Sequence, residues 1–312
     1  MKAMKKWMAL GLSAMLALSL TACGGGTTGE EPALDDAETS SEAAPETEDA
    51  PAAEDAASSD EAAATEGRLA QIKQSGVLVM GCSADFPPYE FHILTDDGQD
   101  EITGYDVMLV KEIANDLGVE LEIRDFAFDT LIGALSTGQL DVVASGMNAN
   151  EERKKSVDFS TEYFKGEQVV IVRKEDLDTY KTPEAFKDKT VGAQSGSLQE
   201  EFANNQLQPH GATIHIVAKI PDLIMELKNG GIDGIVLDRP IGEAYVRANE
   251  ADLAVSETPI DGDSSGFAIA VAKGNEDLLA EIDKTLARLE EEGKLDSFLV
   301  DAMDLAQSNE VE

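Results

Sequence analysis

Few residues in this chain could make or break a covalent bond. The sequence holds three histidines, His92, His210 and His215, and two cysteines, Cys23 and Cys82. No Ser-His-Asp order and no metal-ligand spacing joins them, so the sequence implies no enzyme, no metal and no cofactor. The informative groups are of another kind. The stretch GCSADFPPYEF (81–91) follows the apolar run 77–80 and sets Phe86, Tyr89 and Phe91 around two consecutive prolines. Two prolines forbid continuation as a helix or a central strand. What remains is a rigid loop that offers aromatic rings at the carboxyl end of a strand, the edge where open α/β sheets bind ligands. Rings that only cap a core would give the same pattern, so the rest of the chain has to decide.

The elements that would position this loop alternate between helical and strand periods. A short helix with Leu69 and Ile72 inward leads to a strand at Val77–Cys82, and the TDDG run (95–98) is turn chemistry. Tyr105–Leu117 carries Val107, Val110, Ala114 and Leu117 at helical spacing, with Gly118 as C-cap. Val119, Leu121 and Ile123 alternate as a strand, Phe128, Leu131, Ile132 and Leu135 share a helical face, and 140–144 reads as a buried strand. The order β-α-β-α-β implies parallel strands with crossovers.

The same grammar restarts after Asp188. Strands are expected at 190–193, Thr213–Val217 and 232–237, and helices from the turn QSGS (194–197) through 204, at 221–229 and from 240 to 248. A strand at 267–272, a long amphipathic helix over 275–292 and a short one after it close the chain. Two α/β units, each starting anew, predict two lobes with a ligand cleft between them.

The amino end is of a different character. Lys2, Lys5 and Lys6 precede 16 uncharged residues, 7–22, too short for a membrane span but suited to a signal-peptide core. The ending LTAC (20–23) resembles the lipobox of bacterial lipoproteins, which implies a signal peptide over 1–22 and lipidation of Cys23. Cys82 then has no partner and reads as a small buried hydrophobe. Residues 24–67 hold 14 Asp and Glu with no Lys or Arg, a composition that cannot fold and repels itself into an extended tether. The formal charge of the whole chain is −38; without the three leading lysines and the tether, residues 68–312 still carry about −27. So acidic a surface excludes nucleic acid as a partner, whose phosphates require a basic face.

The resemblance that makes the reading specific begins at ASGMNANEERKKSVDFSTEYF (144–164). With SADFPPYEF, GYDV (104–107), DFAFDTLIGALSTGQLDVVASGM, VGAQSGSLQE, GGIDGIVLD and SSGFAIAVAKGN in register from Arg68 to about Leu299, the chain resembles the family-3 extracellular solute-binding proteins, amino-acid receptors of ABC importers. The resemblance implies a two-lobed periplasmic-binding-protein-like α/β fold of type II: residues 68–167 and 263–312 form lobe 1, residues 168–262 lobe 2, and two crossing strands the hinge. It implies a monomeric receptor, anchored outside the cell membrane by lipid alone, that closes on a free amino acid and docks on an ABC permease.

The site residues follow from the same resemblance. Arg153 matches the carboxylate-binding arginine, whose fork of donors suits a carboxylate, although EERKK by itself reads as a solvated charge run. Ser197 and Leu198 match amides that meet the carboxylate at a helix start; plain N-capping by Ser195 or Ser197 fits the same letters. Asp238 matches the ammonium-binding aspartate, and Ser145, Gly146 and Asn148 match residues giving backbone and side-chain contacts. Phe86 and Phe128 match the rings on either side of the ligand side chain, though Phe128 also lies on an apolar helix face. Ser83 stands where the family often has Asp, which favours a neutral polar amino acid, with Gln194 as a further side-chain contact. Asp85 and Glu90 keep a cationic ligand open. Two rival classes remain: a sensory binding protein without an importer, and a secreted dehydratase-like enzyme on the same scaffold, which would need a general acid or base in the cleft.

Overall fold

A computed structural model describes residues 67–95, 97–261 and 265–309, all within one compact unit, Asp55–Glu312. The expected signal peptide, Cys23 and nearly all of the tether lie outside the described residues.

Helix α1 (Arg68–Ser75) leads into β1 (Val77–Cys82), and Ile72 is buried beneath it. Strands β2 (Asp85–Phe86), β3 (Glu90–Leu94) and β4 (Asp100–Thr103) form a small antiparallel sheet. Helix α2 (Tyr105–Leu117) follows and ends at Gly118, whose φ of 73° is the left-handed conformation that glycine adopts without penalty. Then come β5 (Glu120–Asp125), α3 (Leu131–Ser136), β6 (Val142–Val143) and β7 (Val157–Phe159).

The second half runs β8 (Gln168–Arg173), β9 (Thr190–Gln194), α4 (Leu198–Phe202), β10 (Thr213–Val217), α5 (Ile220–Lys228), β11 (Gly234–Asp238), α6 (Arg239–Ala248) and β12 (Leu253–Val255). Strand β13 (Ala270–Ala272) and helices α7 (Glu276–Glu291) and α8 (Lys294–Ser308) complete the described chain.

Two five-stranded sheets result, in the orders β5-β1-β6-β13-β7 and β10-β9-β11-β8-β12. In each, three neighbouring strands pair in parallel, a fourth runs opposite to them, and the fifth pairs antiparallel with the fourth at the edge. The inner strands read as near-continuous apolar runs because they are covered on both faces: Leu78, Met80, Val142, Val143, Val170, Ile171, Ile235 and Val236 have no exposure. The chain crosses from the first sheet to the second after β7 and returns before β13. The crossing segments run side by side: Phe267 donates its N–H to the Phe164 carbonyl at 2.7 Å, Tyr163 to that of Phe267 at 2.9 Å, and Ser160 to that of Ile269 at 2.9 Å. The expected two-lobed α/β architecture is present.

Local differences have physical causes. The Pro87–Pro88 step does not end pairing; it turns β2 back onto β3, with Asp85 opposite Phe91 and Phe86 opposite Glu90. Of the run 140–144, only Val142–Val143 enters the ladder with β1, and the helix after QSGS changes to a wider turn at Ala203–Leu207. The last helix is 15 residues long rather than short; it seats Ala302 on the core with Leu295, Phe298 and Leu299 half-buried beside it, and Ala306 is also buried.

Candidate functional site

At the crossing, six aromatic residues pack edge to face or tilted. Tyr89 is central, with ring centroids 5.1 Å from Phe267, 5.3 Å from Phe164 and 5.9 Å from both Phe86 and Tyr105; Tyr163 packs 5.8 Å from Tyr105. Such pairs contribute about 0.5–1.5 kcal/mol each beyond the area they bury. The cluster is a stiff base that fixes the Phe86 ring. Gly146, at φ 51°, lies under that ring, and a Cβ there would strike it, so only glycine allows the approach.

Beside Gly146 the loop after β6 is tied down by buried carboxylates. Ser145 Oγ donates to Glu90 Oε1 at 2.8 Å and accepts the Ser83 N–H at 2.9 Å. The Gly146 N–H and the Tyr163 hydroxyl both donate to Asp106 Oδ2 at 2.8 Å. Glu90 and Asp106 are fully buried. Burial pushes both carboxyls up, Asp106 to about 6 and Glu90 well above its ordinary range, with the Asp106 charge adding to the push on Glu90.

Arg153 separates from its neighbours in the charge run. Lys154 and Lys155 are exposed and pair with Glu151 and Glu152, whereas Arg153 is only 8% exposed. Its Nη1 donates to the Asn148 carbonyl at 2.9 Å and its Nη2 to the Gly196 carbonyl, across the cleft, at 3.0 Å. The guanidinium lies 5.2 Å over the Phe128 ring, a cation–π arrangement. Burial pulls it down to about 10, so it is still cationic at neutral pH. These two bonds use two of the roughly five donors of a guanidinium, which leaves capacity for a carboxylate. Phe128 faces Arg153 and also packs in the core with Leu131 and Leu140. The Asn148 side chain donates to the Ser265 carbonyl, 117 residues away in sequence, at 2.6 Å.

On the opposite wall, Ser197 caps α4. Its Oγ accepts the Glu200 N–H at 3.1 Å and donates to the Gln194 carbonyl at 2.7 Å. The capping geometry is thus present, with Leu198 as the first residue of α4. The Leu198 side chain belongs to the core of lobe 2. Gln194 is buried and donates to the Ala218 carbonyl at 3.1 Å and to Asp85 Oδ2 at 3.2 Å.

Asp238 ends β11 and is 1% exposed. The Nε2 atoms of Gln168 and Gln199 each donate to it at 2.6 Å, and no Lys or Arg among the described residues pairs with it. Burial pushes its carboxyl up to about 7, against the pull of the two amides. A buried carboxylate with amide donors and no cation is suited to receive an ammonium group. The Tyr89 hydroxyl is also buried without a hydrogen-bond partner, and burial followed by the charge of Asp238 pushes its phenol up.

Sequence reasoning missed Gln168, Gln199 and Lys219. The position of Gln199 in the first turn after the GS pair was a usable signal; Gln168 and Lys219 offered none. The Lys219 ammonium lies 3.3 Å from Ser83 Oγ and 3.0 Å from Asp125 Oδ1, while Ser83 Oγ donates to Asp85 Oδ1 at 2.7 Å. The histidines pair with single carboxylates: His92 with Asp100 at 2.9 Å, His210 with Glu184 at 3.3 Å and His215, in strand β10, with Glu226 at 2.8 Å. The Cys82 thiol is buried, and burial pushes its pKa far up. Among the described residues no His/Cys/Asp/Glu group could hold a metal ion, and no helix is long and apolar enough to cross a membrane.

Known proteins share this architecture. The profile of the bacterial extracellular solute-binding proteins, family 3, matches residues 78–300. The arginine-binding extracellular protein ArtP of Bacillus subtilis is 31% identical over 294 residues, 94% of this chain and 96% of that protein. The L-cystine-binding protein TcyJ of Escherichia coli is 32% identical over 230 residues, 74% of this chain and 84% of that protein. The crystal structure of an amino acid ABC transporter substrate-binding protein, AbpA of Streptococcus pneumoniae, bound to L-arginine, matches with a TM-score of 0.73 at 35% identity, over 78% of this chain and 99% of that one.

Proposed function

Because this chain belongs to the bacterial extracellular solute-binding proteins, family 3, we propose that it captures a free polar L-amino acid between its lobes and hands it to an ABC permease. The observation that carries the reading is the pair of unlike buried groups: Arg153 with donors to spare, and Asp238 held by amides with no cation paired to it among the described residues. An amino acid supplies the two complementary charges. Arg153 with the Ser197 and Leu198 amides takes the carboxylate; Asp238 with the Ser145–Gly146 loop takes the ammonium. Phe86 and Phe128 flank the side chain.

A ligand that touches both walls favours the closed state by its differential affinity for it, and closure is the signal to the permease. The lobe boundaries are 68–167 with 263–312, and 168–262. The protein works as a monomer outside the membrane, anchored through lipid on Cys23 and spaced by the acidic tether, and it catalyses no reaction.

For the ligand side chain, Lys219 supports a neutral polar group, since its ammonium already stands beside Ser83. The arginine-binding relatives support a cationic one. A thermal-shift screen of the refolded chain against the common L-amino acids tests the function. A ligand at 100 times its dissociation constant raises stability by about 2.7 kcal/mol. A shift with a few polar amino acids is expected; no shift with any of them overturns the reading.

A further inference from the structure

We propose that Asp85 sets how readily the lobes close, and with it the affinity for ligand, by capping from one lobe a helix that belongs to the other. The inference rests on the reading of the protein as a receptor that works by closure.

Helix α5 starts in lobe 2 with no side-chain cap from its flanking residue Lys219. The first N–H groups of a helix have no partner inside it and carry the positive end of its dipole. Here the Ile220 N–H donates to Asp85 Oδ2, from lobe 1, at 2.8 Å. More donors from lobe 2 converge on the same residue. The Tyr245 hydroxyl donates to the Asp85 carbonyl at 2.8 Å, and Gln194 Nε2 to Asp85 Oδ2 at 3.2 Å. Lys219 extends the set to Asp125 and Ser83 of lobe 1.

These donors lie between residues 194 and 245, and their acceptors between 83 and 125, so the bonds exist only while the lobes are together. Within its own lobe, the Asp85 carboxylate keeps the Ser83 hydroxyl. Every donor is protein, so the set favours closure whatever the ligand. Burial pushes the Asp85 carboxyl above its ordinary range, opposed first by the Ile220 N–H and then by Lys219. Desolvation therefore offsets part of the gain, as for any buried charge.

A receptor whose competent state is only partly populated binds more weakly by that fraction. Removing the trans cap lowers the closed fraction before ligand arrives. The test uses the full chain carrying Cys23→Ser, with spin labels at Leu94→Cys in lobe 1 and Met225→Cys in lobe 2, positions 73% and 59% exposed; Cys82 is buried and does not label. Interlobe distances are measured without ligand, and affinity by titration with L-arginine and L-glutamine.

Asp85→Ala is expected to move the ligand-free distances toward longer values and to weaken affinity about tenfold or more. Asp85→Asn, which keeps an uncharged acceptor, is expected to fall between. Tyr245→Phe removes one hydroxyl and is expected to give a smaller shift in the same direction; it carries the test alone if Asp85→Ala does not fold. Ligand-free distances unchanged in Asp85→Ala, or in Tyr245→Phe where that variant alone folds, overturn the inference. Longer distances in a protein that binds no amino acid leave Asp85 as the closure residue and sink the receptor reading instead.

Discussion

Ligand affinity should depend on pH through Asp238, with a slope the structure fixes. Burial holds this carboxyl near 7, where an exposed aspartate titrates near 3.8. An ammonium ligand requires the ionised form. Below pH 7 each bound ligand must therefore displace a proton, at a cost of about 1.4 kcal/mol per pH unit. At pH 5 roughly one site in a hundred is ionised, so affinity should be about 100-fold weaker than at its plateau. Arg153, near 10, does not titrate in this range.

Calorimetric titration at pH 5, 6, 7 and 8 measures the slope, and repeating the pH 6 titration in two buffers of different ionisation enthalpy counts the proton, which should be close to one per site. The ligand-free protein supplies an internal control of opposite sign. Between pH 4 and 7 the folded chain keeps a proton that the unfolded chain has lost, so its stability should fall as pH rises; buried Asp106, held near 6, adds to the same trend. The ligand-induced rise in Tm should grow over the range in which the ligand-free Tm declines. Affinity that is flat from pH 5 to 8, or that strengthens toward acid, would refute the assignment of Asp238 to the ammonium.

Two substitutions test the opposite wall and the floor of the site. Arg153→Ala should weaken binding by 100-fold or more, because a bidentate charge-assisted contact is lost, while circular dichroism shows a folded protein; unchanged affinity in that folded variant would remove Arg153 from the carboxylate site. Gly146→Ala forces a Cβ into the Phe86 ring at φ 51° and should lower both Tm and affinity, and a variant with wild-type affinity would mean that the Phe86 mount tolerates movement.

Much of the fold was legible where local signals agreed. The run Val77–Cys82 and the helix Tyr105–Leu117 with its glycine cap stand where their periods placed them. The small β2-β3-β4 sheet was not legible, because a Pro-Pro step reads locally as a break and its pairing depends on what lies four residues on. The final helix looked short because Asp296, Asp301 and Asp304 dilute an apolar face that only the packed structure reveals. In the site, Arg153 could not be told from Lys154 and Lys155 by composition; burial separates them. The trans contacts of Asp85 join residues 135 and 160 positions apart in sequence, and no local pattern encodes a partner at that distance.

The central claim is that one ligand presents its carboxylate to Arg153 and its ammonium to Asp238. The most direct measurement compares, by calorimetry on the same preparation, the amino acid found in the screen with its methyl ester and its N-acetyl derivative. The account predicts that the free amino acid binds, and that blocking either end weakens binding by at least about 100-fold, since each derivative leaves one buried charge unpaired. Equal binding of either derivative would contradict it.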